Sequence, residues 1–311
     1  MSEGIVIKST GSWYTVKDGN KQIDCKIKGS FRQKDIRSTN PVVVGDHVTY
    51  IQGEGEKAGL ISEIADRKNY IVRKASKLSK QTHIIAANID QALLMITVAY
   101  PRTTLEFIDR FLVTAEAYHI PVILVFNKTD LYNSLETEEM NAITAMYEKI
   151  GYRCLHVAAL NRKNIKAVIT AMTDKISVVA GNSGVGKSTL INSIKPGLQL
   201  KTENISDYHQ SGKHTTAHTE MYELSFGGYI IDTPGIKGFG VIDFKKEEVG
   251  YFFPEIFKKS KDCQFYNCTH VHEPGCAVKK AVDEGNIFPS RYNSYLNILF
   301  DKNEKYRIKK Y

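Results

Sequence analysis

The stretch Gly181-Asn182-Ser183-Gly184-Val185-Gly186-Lys187-Ser188-Thr189 has the glycine spacing and Lys-Ser pair of a phosphate-binding loop. Its glycines let the backbone come close, so that successive N–H groups point at phosphate oxygens. Lys187 adds positive charge near the β- and γ-phosphates, and the Ser188 hydroxyl is placed to ligate Mg²⁺. An apolar strand-like run, "ISVVA", precedes the loop and a helical pattern follows it, which is the context the motif needs. A helix starting there turns the positive end of its dipole to the ligand.

The loop does not choose between ATP and GTP. That choice rests on Asn127-Lys128-Thr129-Asp130, at the carboxyl end of "PVILVF", where open α/β sheets bind ligands. The Asp130 carboxylate can accept from both guanine N1–H and the exocyclic amine. Adenine has no such donor pair and would leave the carboxylate unpaired. Asn127 can pair on the opposite edge of the base or brace the phosphate loop, while the Lys128 stem lies along the ring.

Two further stretches fit a switch. Asp232-Thr233-Pro234-Gly235 follows a strand-like run and resembles the GTPase motif in which an aspartate supports Mg²⁺ through its waters and a glycine N–H contacts the γ-phosphate. The polar stretch 208–220 suits a mobile loop in which Thr215 or Thr216 ligates Mg²⁺. "VAALN" (157–161) stands where a second base-contacting loop belongs. Ala158-Ala159 replaces the usual Ser-Ala there, which puts any side-chain contact from that pair in question. The base motif thus comes before the phosphate loop, the reverse of the usual order. Each element follows its own strand, so the order can rotate in sequence while the sheet stays the same in space. The chain reads as a circularly permuted GTP-binding domain.

Cys263, Cys268, His270 and Cys276 fall within a short stretch that also contains His272. Three thiolates and one imidazole suit a closed, tetrahedral zinc site with no open position for catalysis. Reduced, unligated cysteines in a loop are the plainer alternative.

These residues need elements to position them. From about residue 89, β-branched apolar runs alternate with helical periodicity at 103–119, 136–150 and 163–173. In the first of these, Leu105, Ile108, Phe111, Leu112 and Ala115 share one stripe. The alternation predicts a doubly wound α/β sheet. Residues 1–70 read as short strands separated by turns, which predicts a small β-barrel. The polar, basic stretch that follows reads as a linker or edge segment. After about 243 the pattern turns mostly helical, in a region too small and polar to depend on its apolar core alone.

Composition agrees with a soluble globular protein, at 42% hydrophobic and 24% charged residues. The longest apolar run is too short to span a bilayer and no signal-peptide core is visible, so a cytoplasmic protein without a membrane partner is expected. The five cysteines are odd in number, which argues against a disulfide framework. Net charge is +8, with Lys and Arg in excess over residues 1–80 and in the tail 301–311. That excess suits a polyanion or a plain solvated surface.

A permuted GTP-binding domain between a basic barrel and a Cys/His cluster resembles the ribosome small-subunit-dependent GTPase A family (RsgA, also called YjeQ). The resemblance covers nearly the whole chain. Its most specific parts are the motif order, "GKHTT" (212–216) and the spacing C-x4-C-x-H-x5-C. It implies an OB-fold RNA-binding barrel over 1–70, a linker over 71–88, a permuted GTPase domain over 89–243 and a helical zinc domain over 244–311. It also implies GTP hydrolysis that is slow alone and faster on the small (30S) subunit, binding to its rRNA, and a part in late subunit maturation. The implied cofactors are one structural Zn²⁺ and the Mg²⁺ that accompanies GTP, in a monomer. The family pattern selects His270 over His272 as the fourth zinc ligand.

Many regulatory GTPases place a glutamine after the switch glycine to orient water. Ile236 stands there and cannot hydrogen-bond, so slow intrinsic hydrolysis is expected. His214, on the presumed switch loop, is the candidate to orient or deprotonate that water; a solvated or phosphate-pairing loop histidine is the alternative. Loss of the γ-phosphate could also shift the zinc domain, because "DTPGIKGFG" leads almost directly into it. Trp13, Tyr14, Phe31 and Arg32 are available to the barrel for stacking and pairing with single strands, though several could equally be core. A competing function is an RNA-binding scaffold in which GTP occupancy matters and turnover does not. An ATP-dependent kinase is disfavoured by Asp130 and the switch-like motif.

Overall fold

The computed structural model describes residues 1–27, 41–53, 55, 58–74, 82–198, 219–232 and 246–300. In the N-terminal part, period-two alternation folds as expected. Strands β1 (Ser2–Thr10), β2 (Trp13–Asp18), β3 (Lys21–Ile27), β4 (His47–Ile51) and β5 (Gly59–Ile64) run in the order β1-β2-β3-β5-β4. β1 pairs with both β2 and β4, which closes the barrel. Val6, Tyr14, Val16, Cys25, Val48, Tyr50 and Ile61 fill its interior. Tyr14 is therefore a core residue, whereas Trp13 is 41% exposed.

The stretch read as a linker contains a two-stranded antiparallel ribbon, β6 (Tyr70–Lys74) with β7 (Thr82–Ala87). Its ends are fastened by amides. Asn69 exchanges two hydrogen bonds with the Ile89 backbone at 2.8 Å each, and Asn88 Nδ2 donates to the Gly45 carbonyl of the barrel region at 2.9 Å.

The α/β domain follows as β8 (Gln91–Ile96), α1 (Leu105–Ala117), β9 (Val122–Phe126), α2 (Ser134–Ile150), β10 (Arg153–His156), α3 (Ile165–Met172), β11 (Ile176–Gly181), α4 (Lys187–Ile194), β12 (Glu220–Glu223) and β13 (Tyr229–Asp232). The strand order is β10-β9-β8-β11-β13-β12, parallel except for β12. Central strands buried on both faces explain the unbroken apolar runs. Ala92, Leu94 and Ile96 of β8 pack toward α1 and α2, while Leu93 and Met95 pack toward α3 and α4. Helices thus cover both faces, as a doubly wound sheet requires. At the edge, β12 pairs with β1 of the barrel at Lys8↔Glu220, so the two parts share one continuous sheet.

The C-terminal region comprises a 3-10 segment (Lys246–Phe252), α5 (Pro254–Ser260), α6 (Ala277–Asp283) and α7 (Pro289–Leu299). Its apolar cluster includes Val113 from α1, so it packs on the α/β domain. A buried ion pair sits in that joint. Arg291 of α7 donates to Asp109 of α1 at 2.7 Å and to Glu255 at 2.7 and 3.2 Å, with both Arg291 and Asp109 fully buried. Burial acts against the Arg291 charge, but the two carboxylates outweigh it and hold the guanidinium protonated. Burial pushes the Asp109 carboxyl up, opposed by Arg291, Ser294 and Tyr147.

Candidate nucleotide site and metal centre

Residues 182–186 join β11 to α4 at the carboxyl edge of the sheet. Gly181 and Gly186 both have positive φ, at 141° and 97°. A Cβ on Gly181 would sit 2.4 Å from the Met95 carbonyl, and one on Gly186 would sit 2.3 Å from Asn127 Nδ2. Glycine is therefore required twice, once by the neighbouring strand and once by the base motif itself. Lys187 Nζ donates to the Gly181 and Asn182 carbonyls at 2.8 and 2.6 Å, which holds its charge at the loop. Ser188 is buried at the first turn of α4, Val185 is buried beneath the loop, and Ser183 and Gly184 are exposed.

Asn127 follows β9 and is 2% exposed. Its Nδ2 donates to the Val185 carbonyl at 2.8 Å, and its Oδ1 accepts from the Ala159 N–H at 3.0 Å. Of the two roles open to Asn127 in the sequence, the geometry has it bracing the phosphate loop. It also fastens the 157–161 stretch, where buried Ala158 and Ala159 contribute backbone rather than hydroxyls. Ser193 of α4 closes the circuit by donating to the Ala159 carbonyl at 2.9 Å. Tyr132 adds a brace that sequence reasoning missed: its hydroxyl donates to the Asn127 carbonyl at 2.5 Å and accepts from Val98 N–H at 3.2 Å. Burial pushes that phenol up to about 12, so it stays a donor.

Lys128 takes a left-handed φ of 62° and is half-buried, its ammonium donating to the Tyr100 carbonyl. Burial pulls its pKa down, with Asp130 acting the other way. Asp130 is exposed and accepts from Asn161 Nδ2 at 2.7 Å. Thr189 lies in the first turn of α4, and Asp232 ends β13, the strand beside β11. His214, Thr215, Thr216, Gly235 and Ile236 lie outside the described residues, as do Phe31 and Arg32.

The thiols of Cys263, Cys268 and Cys276 and the His270 imidazole converge, all four ligand atoms lying within 4.8 Å of one another. His270 Nδ1 is 3.7 Å from Cys263 Sγ and 3.5 Å from Cys276 Sγ. Zinc bond lengths at a tetrahedral angle give an N···S edge of about 3.6 Å, so the donor set fits the ion. His270 is buried and His272 exposed. Burial pushes the Cys268 thiol up to about 12, raises Cys276 and lowers His270. A neutral imidazole is thus ready to ligate, and a bound cation would offset the burial that keeps the Cys268 and Cys276 thiols protonated.

The loop around His270 is held by partners the sequence did not single out. Glu273 accepts from Thr269 N–H at 2.7 Å, Thr269 Oγ1 at 2.5 Å, Val271 N–H at 2.9 Å and His272 N–H at 3.1 Å. These donors outweigh partial burial and hold its carboxyl down at about 2. Tyr292 and Tyr295 of α7 donate to the His270 and Thr269 carbonyls, each at 2.6 Å.

Residues 64–242 match the family model described as RsgA GTPase, and residues 3–61 match the RsgA N-terminal domain. The chain belongs to the RsgA GTPase family. Relatives called small ribosomal subunit biogenesis GTPase RsgA align over 98% of the chain. That of Phocaeicola vulgatus is 58% identical with 99% of its own length covered, and that of Flavobacterium psychrophilum is 53% identical with 94% covered. The crystal structure of YjeQ from Thermotoga maritima superposes with a TM-score of 0.81 at 34% identity, covering 96% of this chain and 98% of that one. YloQ, described as a circularly permuted GTPase, gives a TM-score of 0.77 at 34% identity and covers 100% and 97%. The RsgA family and the permuted fold make this chain a GTP hydrolase with a barrel, an α/β GTPase domain and a C-terminal helical region carrying a Cys₃His cluster. Among the described residues, no helix is long and apolar enough to cross a membrane.

Proposed function

We propose that the chain hydrolyses GTP to GDP and phosphate as an assembly factor for the small ribosomal subunit, binding its rRNA in a nucleotide-dependent way. Asp130 reads guanine, 181–189 cradles the phosphates, and Lys187 neutralises their developing charge. Ser188 and Thr215 or Thr216 hold Mg²⁺, with Asp232 behind its waters and the Gly235 N–H on the γ-phosphate. His214 orients the attacking water in place of a glutamine. The Cys₃His cluster holds one structural zinc. The domains divide at about 70, 88 and 243, the protein works as a cytoplasmic monomer, and the basic barrel and tail supply the electrostatic part of rRNA binding.

The observation that most supports this reading is the pair of hydrogen bonds made by buried Asn127 to Val185 and Ala159. They couple base-reading and phosphate-binding loops in one rigid unit, which a GTP site needs and a lone phosphate loop does not. The relatives' printed name supports the small-subunit role. The test is steady-state GTP turnover with and without purified small subunits. Turnover should rise sharply with subunits, and His214→Ala should remove the rise. An unchanged rate on adding subunits would contradict the assembly role, and full stimulation of His214→Ala would reassign the water.

A further inference from the structure

We infer that Asn161 is a positioning residue for guanine recognition, holding the Asp130 carboxylate in the plane that lets it take two hydrogen bonds from the base. The inference rests on the reading of Asp130 given above and adds to it the group that sets its orientation.

Asn161 sits at the tip of a short loop closed at its base. Ala158 and Lys163 exchange backbone hydrogen bonds at 3.2 and 3.1 Å, and the Asn164 side chain donates to the His156 carbonyl at 3.0 Å. The loop is then fixed to its surroundings through Asn127 and Ser193, both bonded to Ala159. Across from it, the Thr129 N–H and hydroxyl bond the Val157 carbonyl at 3.2 and 3.1 Å, which ties the Asp130 segment to the same strand end. Two anchored segments therefore face each other, and the contact between their tips is Asn161 Nδ2 to Asp130 Oδ2 at 2.7 Å. No other group among the described residues hydrogen-bonds the Asp130 carboxylate.

The chemistry follows from the acceptor count. An ionised carboxylate only accepts, so Asn161 must present its NH₂ to it. Each carboxylate oxygen has two lone pairs, so one bond from Asn161 leaves acceptor sites on both oxygens for guanine N1–H and its exocyclic amine. The terminal torsion of an aspartate is broad, and a paired reading of two donors fixes it, whereas a single donor tolerates rotation. In this loop Ala158-Ala159 offers no hydroxyl to do the fixing. Asn161, two residues on, supplies the donor instead.

The effect should therefore concentrate on the exocyclic amine. The experiment measures equilibrium binding of GTP and ITP, which lacks that amine, to the full chain and to Asn161→Ala and Asn161→Leu. The second variant keeps the shape and removes the donor. Both should lose GTP affinity about two- to tenfold, the range of one net hydrogen bond, with ITP affected less, so that the GTP/ITP ratio falls. A ratio unchanged in both variants, or GTP and ITP weakened equally, overturns the inference. A parallel measurement on Asp130→Asn separates this from the underlying reading. An amide there should favour XTP, whose carbonyl replaces the amine, and continued preference for GTP would overturn the assignment of Asp130 itself.

Discussion

Around Asn127 the hydrogen bonds run among β9, the loop before α4 and the 157–161 stretch, so protein groups alone keep the nucleotide loops in place. Around His270 the convergent groups are three thiols and an imidazole, which cannot satisfy one another as well as a shared cation can. The first site is braced by hydrogen bonds among its own loops, whereas the second brings together donor groups that a cation would satisfy. The difference suits their tasks. A nucleotide that is exchanged each cycle gains from a site that needs no refolding, while a permanent ion can take over part of the folding of a small region.

Removing zinc should break this comparison most visibly. Structural zinc in small domains contributes about 10–16 kcal/mol of apparent folding energy. After chelation, amide exchange should accelerate across α6 and α7 and leave β8, β9 and β11 unchanged. Protection of α7 that survives full loss of metal would mean that the apolar cluster and Arg291 suffice without the ion.

Arg291→Met sharpens the comparison by testing the joint between the two regions. It leaves Asp109 and Glu255 without their counter-charge in a buried setting, which costs about 3–5 kcal/mol. Denaturant unfolding should show the loss, with the C-terminal region released first. A cost within ~0.5 kcal/mol, the range of ordinary surface substitutions, would show the joint to be apolar packing alone. The same joint bears on movement, because a C-terminal region anchored to α1 can shift only by carrying α1 or by repacking this pair.

Glu273→Gln is the mildest of these changes. Residues that orient a metal-binding loop commonly tune affinity by about tenfold, and a chelator competition at neutral pH should find a loss of that size. The sign with pH is fixed by the direction of the shift. The Glu273 carboxyl is held down at about 2 from an ordinary 4.5, so its contribution is complete above about 4.5 and is lost as pH falls toward 2. The variant should lack that part of the acid-induced loosening; an identical acid profile would contradict it.

What could be read in the sequence follows the physics of each element. The parallel strands are buried on both faces, so they appear as apolar runs, and the ligand motifs stand at their ends. The permuted order was legible because each motif travels with its strand. The cysteine–histidine cluster was legible as a set, and what marks His270 over His272 in the structure is its convergence with the three thiols together with its burial. The groups that were missed are polar residues whose meaning comes from distant partners. Arg291 and Asp109 are 182 residues apart, and each alone looks like a surface charge on a helix. Asn161 was in view within "VAALN", yet nothing local shows that it meets Asp130. The ribbon of β6 and β7 was hidden for a related reason: its short apolar runs, Ile71-Val72 and Ile84-Ile85-Ala86-Ala87, flank a basic, polar stretch, and pairing rather than patterning marks them as strands.

The central claim is that the organised pocket at the carboxyl edge of the sheet is selective for guanine, with Asp130 on the base and Lys187 on the phosphates. Displacement of labelled GTP by unlabelled nucleotides tests it most directly. Unlabelled GTP should compete while ATP at the same concentrations leaves the label bound, and ATP competing as well as GTP would contradict the account.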